Sequence, residues 1–381
     1  MINLVKDTID TKDLETLIEW LKTNPRLTKG DLTDQFEEEW SKWLGVKHSV
    51  FVNSGSSANL ALMQAIKILY PENNKVIVPA VSWSTTVAPA MQLGFEPVLC
   101  ETDFETLGLD IPHFEELCKK HKPVAVMLVH VLGFPCKMRE IVEICNKYNV
   151  ILLEDTCESH GSMYGDKKLG SIGLAGTFSF YFGHHMSTIE GGMISTNDTK
   201  LYNILKSIRC HGWSRDLDSN VAEAWKSEWD VDCFKDLYTF YVPGFNLRST
   251  DLQAYIGLGQ IDKLNVWGMK RATNFKVYQN NIKNTECLIQ PTEESWVSNF
   301  AYPIIHSNKF DIYKNLQKNE IETRPLICGS IGQQPFWKKE YGECSLPVAD
   351  RVDDFGLYLP NNHQMTTLEL WKIVETVNEV I

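Results

Sequence analysis

The sequence predicts an α/β fold, with a large lobe on a mainly parallel sheet and a smaller α+β lobe toward the C-terminus. One reason is alternation. The apolar runs "HSVFVN", "NKVIVPA", "EPVLCE", "VAVMLVHVLG" and "VILLEDT" read as buried strands. Between them, "SANLALMQAIKILY", "STTVAPAMQLG", "PHFEELCKKH" and "MREIVEICNKYN" carry apolar residues at i, i+3 and i+4, the helical spacing. Strand and helix taking turns is the pattern of a parallel sheet with crossover helices. The second reason is size: 381 residues suffice for two lobes, and 43% hydrophobic with 23% charged residues is ordinary globular composition.

The remaining elements follow in order. Two shorter strands, "GTFSFYF" and "GGMIST", precede a helix "TKLYNILKSIRC". Residues 211–250, rich in Trp, Tyr, Asp and Gly, read as a long irregular excursion, and long loops in compact enzymes tend to be functional. After "GFNLRSTDLQ" one long helix is expected to run toward residue 283. Then come "NFAYPIIHS", "FDIYKNLQKN", "EIETRPLI" and a closing helix whose start, "TTLE", pairs Thr366 with Glu369 as a capping box. The expected division is 1–250 for the large domain and 251–381 for the connecting helix and smaller domain.

Charge and cysteine usage exclude several classes. A net charge of −12, spread along the chain, repels phosphate backbones and argues against nucleic-acid binding. No apolar run approaches the ~18–20 residues of a membrane span, and the start lacks the layout of a signal peptide. The ten cysteines, Cys287 among them, are scattered without CxC or CxxC, so neither structural zinc nor a disulfide framework is expected. Reduced thiols and a cytoplasmic location are the plain expectation.

Three motifs converge on one edge of the predicted sheet. "VFVNSGSSANLALMQA" places Gly55, Ser56 and Ser57 between a strand and a helix, where backbone N–H groups and the helix dipole suit a phosphate. Such a turn also occurs for geometry alone. "VILLEDTCESHG" puts Asp155 at the carboxyl end of a strand, the edge where open α/β sheets bind ligands. Asp155 either caps the next helix or holds a protonated ring nitrogen. "VPAVSWSTTVAPA" offers Trp83 at the same edge, as core or as a stacking platform. Together they describe a pocket for a flat, phosphorylated, basic heterocycle, and pyridoxal phosphate fits.

At this point the chain resembles the DegT/DnrJ/EryC1/StrS sugar-nucleotide aminotransferases, which have the aspartate aminotransferase-like (type I) fold. The likeness runs through "NSGSSANLAL", "VPAVSWSTTVAPAMQLGFEPV", "VHVLGFPCKMREIVEICNKYNVILLEDTCESHGSMYGDKKLGSIG", "TFSFYFGHHMSTIEGGMIST" and "PGFNLRSTDLQAYIGLGQ". By that resemblance the Gly55–Ser57 stretch and Ser179 bind the cofactor phosphate, Trp83 stacks on the ring and Asp155 pairs with its nitrogen. Glu158, where the family usually has Gln, lies near the ring hydroxyl. Asn246 reaches the partner's phosphate across a homodimer.

One position departs from the pattern. Family aminotransferases carry a cofactor-anchoring lysine six residues before the acidic residue of the "EGG" turn, and counting back from Glu190 lands on His184. His185 is the alternative register, and both histidines could be satisfied within the core. A zinc pair is disfavoured, because neighbours on a strand face opposite ways. Imidazole moves protons near neutral pH but gives no stable covalent anchor. The resemblance therefore implies a 3-dehydratase acting on a nucleotide-linked 4-keto-6-deoxyhexose, GDP-4-keto-6-deoxymannose in the nearest variant. Noncovalent pyridoxal or pyridoxamine phosphate would be the cofactor and L-glutamate the amino donor.

Arg26, Lys29, Arg248 and Arg324, with His185, are the candidate substrate contacts, since cations beside turns suit a diphosphate or carboxylate. Three rivals stand beside this reading. A 4-aminotransferase would bring Lys167 or Lys168 into the pocket; a related 3-dehydrase carries an iron–sulfur cluster, whose grouped cysteines are missing here; a lysine-less relative could bind cofactor without catalysis.

Overall fold

The computed structural model describes residues 1–283 and 294–381. The large lobe is built on strands β1 (His48–Val52), β2 (Lys75–Pro79), β3 (Glu96–Cys100), β4 (Ala125–Val129) and β5 (Ile151–Asp155). A small hairpin, β6 (Met163–Tyr164) and β7 (Lys167–Lys168), comes before β8 (Ala175–Ser179) and β9 (Gly192–Thr196). The seven-stranded sheet has the order β1-β9-β8-β5-β4-β2-β3. Only β9 runs against its neighbours; every other adjacent pair in the sheet is parallel. The carboxyl ends of β1, β2, β4, β5 and β8 therefore open on one edge.

Helices cover both faces, for the reason read from the spacing. The helix Gly55–Leu69 buries Ala58, Ala61, Leu62, Ala65 and Ile66 against Val50, Val78, Met127, Leu153 and Ile194. Helices Ile111–His121 and Met138–Tyr148 close the other face over Ile77, Val126, Leu128 and Leu152. Each fully buried Leu, Ile or Met side chain contributes about 1.5–3 kcal/mol, so a sheet packed on both sides is a stiff base for a site.

A second cluster bears on the site. Helix Asp31–Leu44 lays Phe36 and Trp40 against Phe51, Phe178 and Phe180. Its start has no cap of its own; Asp251 accepts hydrogen bonds from Gly30, Leu32 and Thr33 N–H and from Thr33 Oγ1. The first residues of helix Asp251–Ile261 are thereby locked to a helix 220 residues earlier in the chain.

In the smaller lobe β10 (Ser295–Trp296) pairs back onto β6, while β11 (Ala301–Ile305), β12 (Arg324–Pro325) and β13 (Gly356–Pro360) form a three-stranded antiparallel sheet. Ile304, Ile312, Leu316, Ile373 and Val377 form its core, joined by Ile2 and Leu4 from the start of the chain. Ile2 bridges Ile321, and Leu4 N–H donates to Glu322. The closing helix Thr367–Asn378 carries the Thr366–Glu369 capping box with both reciprocal bonds.

Three local expectations need correction. The excursion holds a helix, Ser219–Glu228, with no buried residue, so periodic burial gave no signal. The expected single helix is two, Asp251–Ile261 and Leu264–Asn281. Its break carries Lys263, paired with Asp10 and Asp13, a long-range contact rather than a Gly or Pro stop. "GTFSFYF" ends as a strand at Ser179, and His184 and His185 lie on the turn that follows, where His184 N–H donates to Tyr181 O. The nine described cysteines are free; Cys287 lies outside the described residues. Among the described residues no helix is long and apolar enough to cross a membrane.

Candidate active site

A cavity of about 390 Å³ opens at the carboxyl edge of the sheet, between the two lobes. Gly55, Ser56, Trp83, Asp155, Glu158, Ser179 and His184 line it from the large lobe. Val5, Phe300, Arg324, Ile327 and Tyr358 close it from the other side.

One end is an anion cradle. Ser54 caps the helix Gly55–Leu69 by accepting Ser57 N–H at 3.0 Å, which commits that donor. Ser57 does not reach the cavity wall, a correction to its expected role. Gly55 and Ser56, in the first turn of that helix, line the cavity beside Ser179, and Ser56 Oγ donates to Thr85 Oγ1 at 3.0 Å. Orphan amides at a helix start suit a phosphate. Glycine is required at 55 because a Cβ there would come within 2.5 Å of Ser179 Cβ and 3.0 Å of Cys157 Sγ. Gly55→Ala is expected to cost about 1–3 kcal/mol by overpacking and to weaken phosphate-dependent cofactor binding; a urea melt and an equilibrium titration check both.

At the floor, Asp155 is 3% exposed and accepts three hydrogen bonds. Asn59 Nδ2 and Thr86 Oγ1 donate to Oδ2, each at 2.8 Å, and Cys157 N–H donates to Oδ1 at 3.1 Å. Thr177 Oγ1 in turn donates to Asn59 Oδ1 at 2.6 Å, fixing which way that amide faces. All three neighbours are donors, which fixes both carboxyl oxygens in place at the cavity floor. Trp83, 56% exposed at the wall, is not a core residue.

Glu158 sits beside the floor, its Oε2 accepting Leu132 N–H at 2.8 Å. Burial lifts its pKa to about 7, against the lowering effect of that N–H bond, and Asp155 adds to the rise. Below that pH it is a neutral acid with a proton to donate into the cavity.

The adjacent histidines separate. His184 lines the cavity; its Nδ1 is sealed without a partner, which leaves Nε2 as the nitrogen that meets the cavity. His185 is 1% exposed and its Nε2 bonds Ser298 O at 2.7 Å, so it is a core residue, not a substrate contact. Burial first, then the Arg271 charge, holds the His184 pKa down at about 4, and His363 falls to about 4 through burial, Arg271 and Lys263. The folded state thus excludes protons that the unfolded chain accepts below about pH 6.5. Stability of the cofactor-free protein is expected to be undiminished by these groups above that pH. It should fall between about pH 6.5 and 4, by up to ~3 kcal/mol for each such histidine; chemical denaturation across that range, with His184→Asn for comparison, measures it.

Of the candidate cations, only Arg324 reaches the cavity, held by Glu322 Oε1 at 3.0 Å. Lys29 is committed to Asp34 and Asp216. Arg26 is exposed and outside this chain's cavity wall, as is Asn246. Arg248 Nε bonds Asn246 Oδ1 at 3.1 Å, likewise away from the wall. Among the described residues no lysine lines the cavity: Lys167 is exposed, and Lys168 Nζ donates to Trp43 O at 2.7 Å. Sequence reasoning missed Asn59 and Thr86, which orient Asp155. The "SSANL" and "STTV" stretches were visible, but their convergence on a third strand was not.

A type I fold with an anion cradle, a buried carboxylate and a stacking platform at the sheet edge defines a class. The chain belongs to the DegT/DnrJ/EryC1/StrS aminotransferase family, whose sequence profile matches residues 7–378. Within the family it is 34% identical to the GDP-4-keto-6-deoxy-D-mannose 3-dehydratase of Yersinia pseudotuberculosis, over 97% of this chain and 96% of that protein. Identity to the GDP-perosamine synthase of Caulobacter vibrioides is 26%, over 100% and 98%. Among solved structures, GDP-4-keto-6-deoxymannose-3-dehydratase with a trapped PLP-glutamate geminal diamine is similar at TM-score 0.90 and 30% identity, covering 99% and 100% of the two chains. The same enzyme has been solved with a histidine-to-asparagine substitution and bound GDP-perosamine, at TM-score 0.89.

Proposed function

We propose that this protein is a pyridoxal/pyridoxamine phosphate-dependent 3-dehydratase that removes the C3 hydroxyl of a nucleotide-linked 4-keto-6-deoxyhexose, GDP-4-keto-6-deoxymannose by likeness to its relatives. The observation that carries this is a cavity lined by Gly55, Ser56, Trp83, Asp155, Glu158 and Ser179, with His184 on its wall and no lysine among its described lining residues. The groups fit the cofactor: the helix start at Gly55 and Ser56 with Ser179 for the phosphate, Trp83 for the ring face, Asp155 for the ring nitrogen. Glu158 supplies a donor for the ring oxygen.

When bound, the cofactor supplies an amine for the sugar's 4-keto carbon and a ring that accepts an electron pair. Asp155 keeps the proton on the ring nitrogen. His184 Nε2 takes a proton from C4′ and returns it to the 3-oxygen as that oxygen leaves. Hydroxide is a poor leaving group, since water has pKa ~15.7, so the returned proton is what makes departure feasible. L-Glutamate is the reductant: sugar C–OH plus glutamate gives sugar C–H, 2-oxoglutarate and ammonia. Arg324, at the small-lobe wall, is the cation placed to meet a carboxylate or diphosphate.

We further infer a homodimer in which Asn246, exposed and away from its own chain's cavity, serves the partner's phosphate cradle. The aminotransferase reading is weakened by Lys168, whose ammonium is tied to Trp43 O. Incubating the protein with glutamate and GDP-4-keto-6-deoxymannose tests the proposal. Ammonia release with loss of one oxygen from the sugar is expected; a 4-amino sugar of unchanged oxygen count would overturn it.

A further inference from the structure

We propose that Arg271 is the positioning residue for His184: its buried guanidinium grips the Phe300 carbonyl, which fixes the ring on which His184 leans and sets a positive charge behind it. This deepens the reading of His184 as the proton carrier and rests on it.

Arg271 lies on the helix Leu264–Asn281 and is 3% exposed. Its Nη1 donates to Phe300 O at 3.2 Å and to Asn361 O, and its Nε is sealed without a partner. No carboxylate pairs with it among the described residues. A buried unpaired cation is costly to fold, so its place beside a catalytic turn calls for a reason. Phe300 supplies the connection. Its carbonyl is held by Arg271, its N–H donates to Leu132 O at 2.8 Å, and its ring sits 5.6 Å from the His184 ring. His185 grips the same segment through Ser298 O.

The surroundings of His184 are set against a positive charge. Behind it stand His160, with ring centres 6.3 Å apart and both ring nitrogens unpartnered, and His185. Tyr181 lies beside it at 6.3 Å. Among the described residues, the carboxylates that share its cavity are Asp155, Glu158 and Glu190. Cys157, Tyr358 and Arg324 complete the titratable and charged groups of that wall. In a serine-protease triad a carboxylate on the far ring nitrogen stabilises the imidazolium. Here the far nitrogen, Nδ1, has no partner, and the fixed charge held at Phe300 O is positive. An imidazolium formed by taking a proton is therefore a strong acid, poised to give it up. The second transfer, to the departing 3-oxygen, is the one that most needs such an acid.

Histidine-labelled, cofactor-free protein followed by NMR through a pH titration decides the matter, with His184→Asn to assign the signal. In the wild-type protein His184 should titrate near pH 4. Arg271→Gln should raise that midpoint by about one unit or more, and the acid limb of the turnover profile should shift with it. Arg271→Lys, which keeps the charge, should leave the midpoint close to wild type. A wild-type His184 that titrates near ~6.5, the unperturbed value, overturns the inference even if Arg271→Gln fails to fold, as does a folded Arg271→Gln with an unmoved midpoint. Cofactor binding, read separately by absorbance, is independent: its failure sinks the proposed function and leaves the titration result standing.

Discussion

Replacing His184 by asparagine is expected to lower turnover ~100- to 10,000-fold, the usual range for loss of a general acid–base group, while cofactor affinity stays near wild type. The two effects separate because the cavity holds the cofactor by other groups. Gly55, Ser56 and Ser179 line one end, Trp83 the wall and Asp155 the floor, and none of these proposed cofactor contacts has a hydrogen bond to His184. Asparagine matches imidazole in its reach but carries no titratable nitrogen. The measurement is single-turnover release of oxygen from the sugar beside a cofactor titration. Equal loss of both would mean that His184 is a binding group. His184→Lys should instead gain a covalent link to the cofactor and lose dehydration.

Asp155→Ala is expected to affect both quantities. The carboxylate is the centre of a network in which Asn59, Thr86 and Cys157 N–H all point inward. Removing it strands three buried donors, and it leaves the ring nitrogen without the group that keeps its proton. Truncating one partner of a buried hydrogen-bonded charge pair costs about 2–5 kcal/mol. That corresponds to a loss of ~30- to several-thousand-fold in affinity, with turnover falling as well because the electron sink requires the proton. Asp155→Asn, which preserves shape and alters charge, separates the two contributions: packing and stability should recover in large part, and turnover should not. A thermal melt with and without cofactor, beside the rate, reads both.

How far the chain disclosed this beforehand varies with the range of the interaction. The parallel sheet was legible because each strand of "NKVIVPA" type is a short buried apolar run and each helix repeats every three to four residues. Asp155, Trp83 and the Gly55 turn were legible for a related reason: a strand end is a local feature, and parallel strands deliver all their ends to one edge. His184 required counting along one motif. What could not be read depends on contacts between distant segments. Ser57 looked equivalent to Ser56 until Ser54 proved to be the cap that takes its N–H. Lys29 looked like a free cation, but Asp34 holds it at 3.2 Å and Asp216, nearly two hundred residues away, adds a second carboxylate at 3.8 Å. The break at Lys263 has no local stop signal because its cause is an ion pair with Asp10 and Asp13. His185 sits beside His184 in sequence, yet only the turn geometry sends it toward Ser298 O rather than into the cavity.

The same distinction explains Arg271. In sequence it is one more basic residue on a helix, with nothing to mark it. Its importance comes from the two carbonyls, Phe300 O and Asn361 O, that meet it from the smaller lobe.

The central claim is that the vitamin B6 ring is held without a covalent bond to the protein. Treating the pyridoxal phosphate-loaded protein with borohydride, then weighing the intact chain and its peptides, tests this most directly. The account predicts an unmodified chain and a cofactor that dialyses away. A mass increase on any lysine-bearing peptide, Lys168 included, would contradict it.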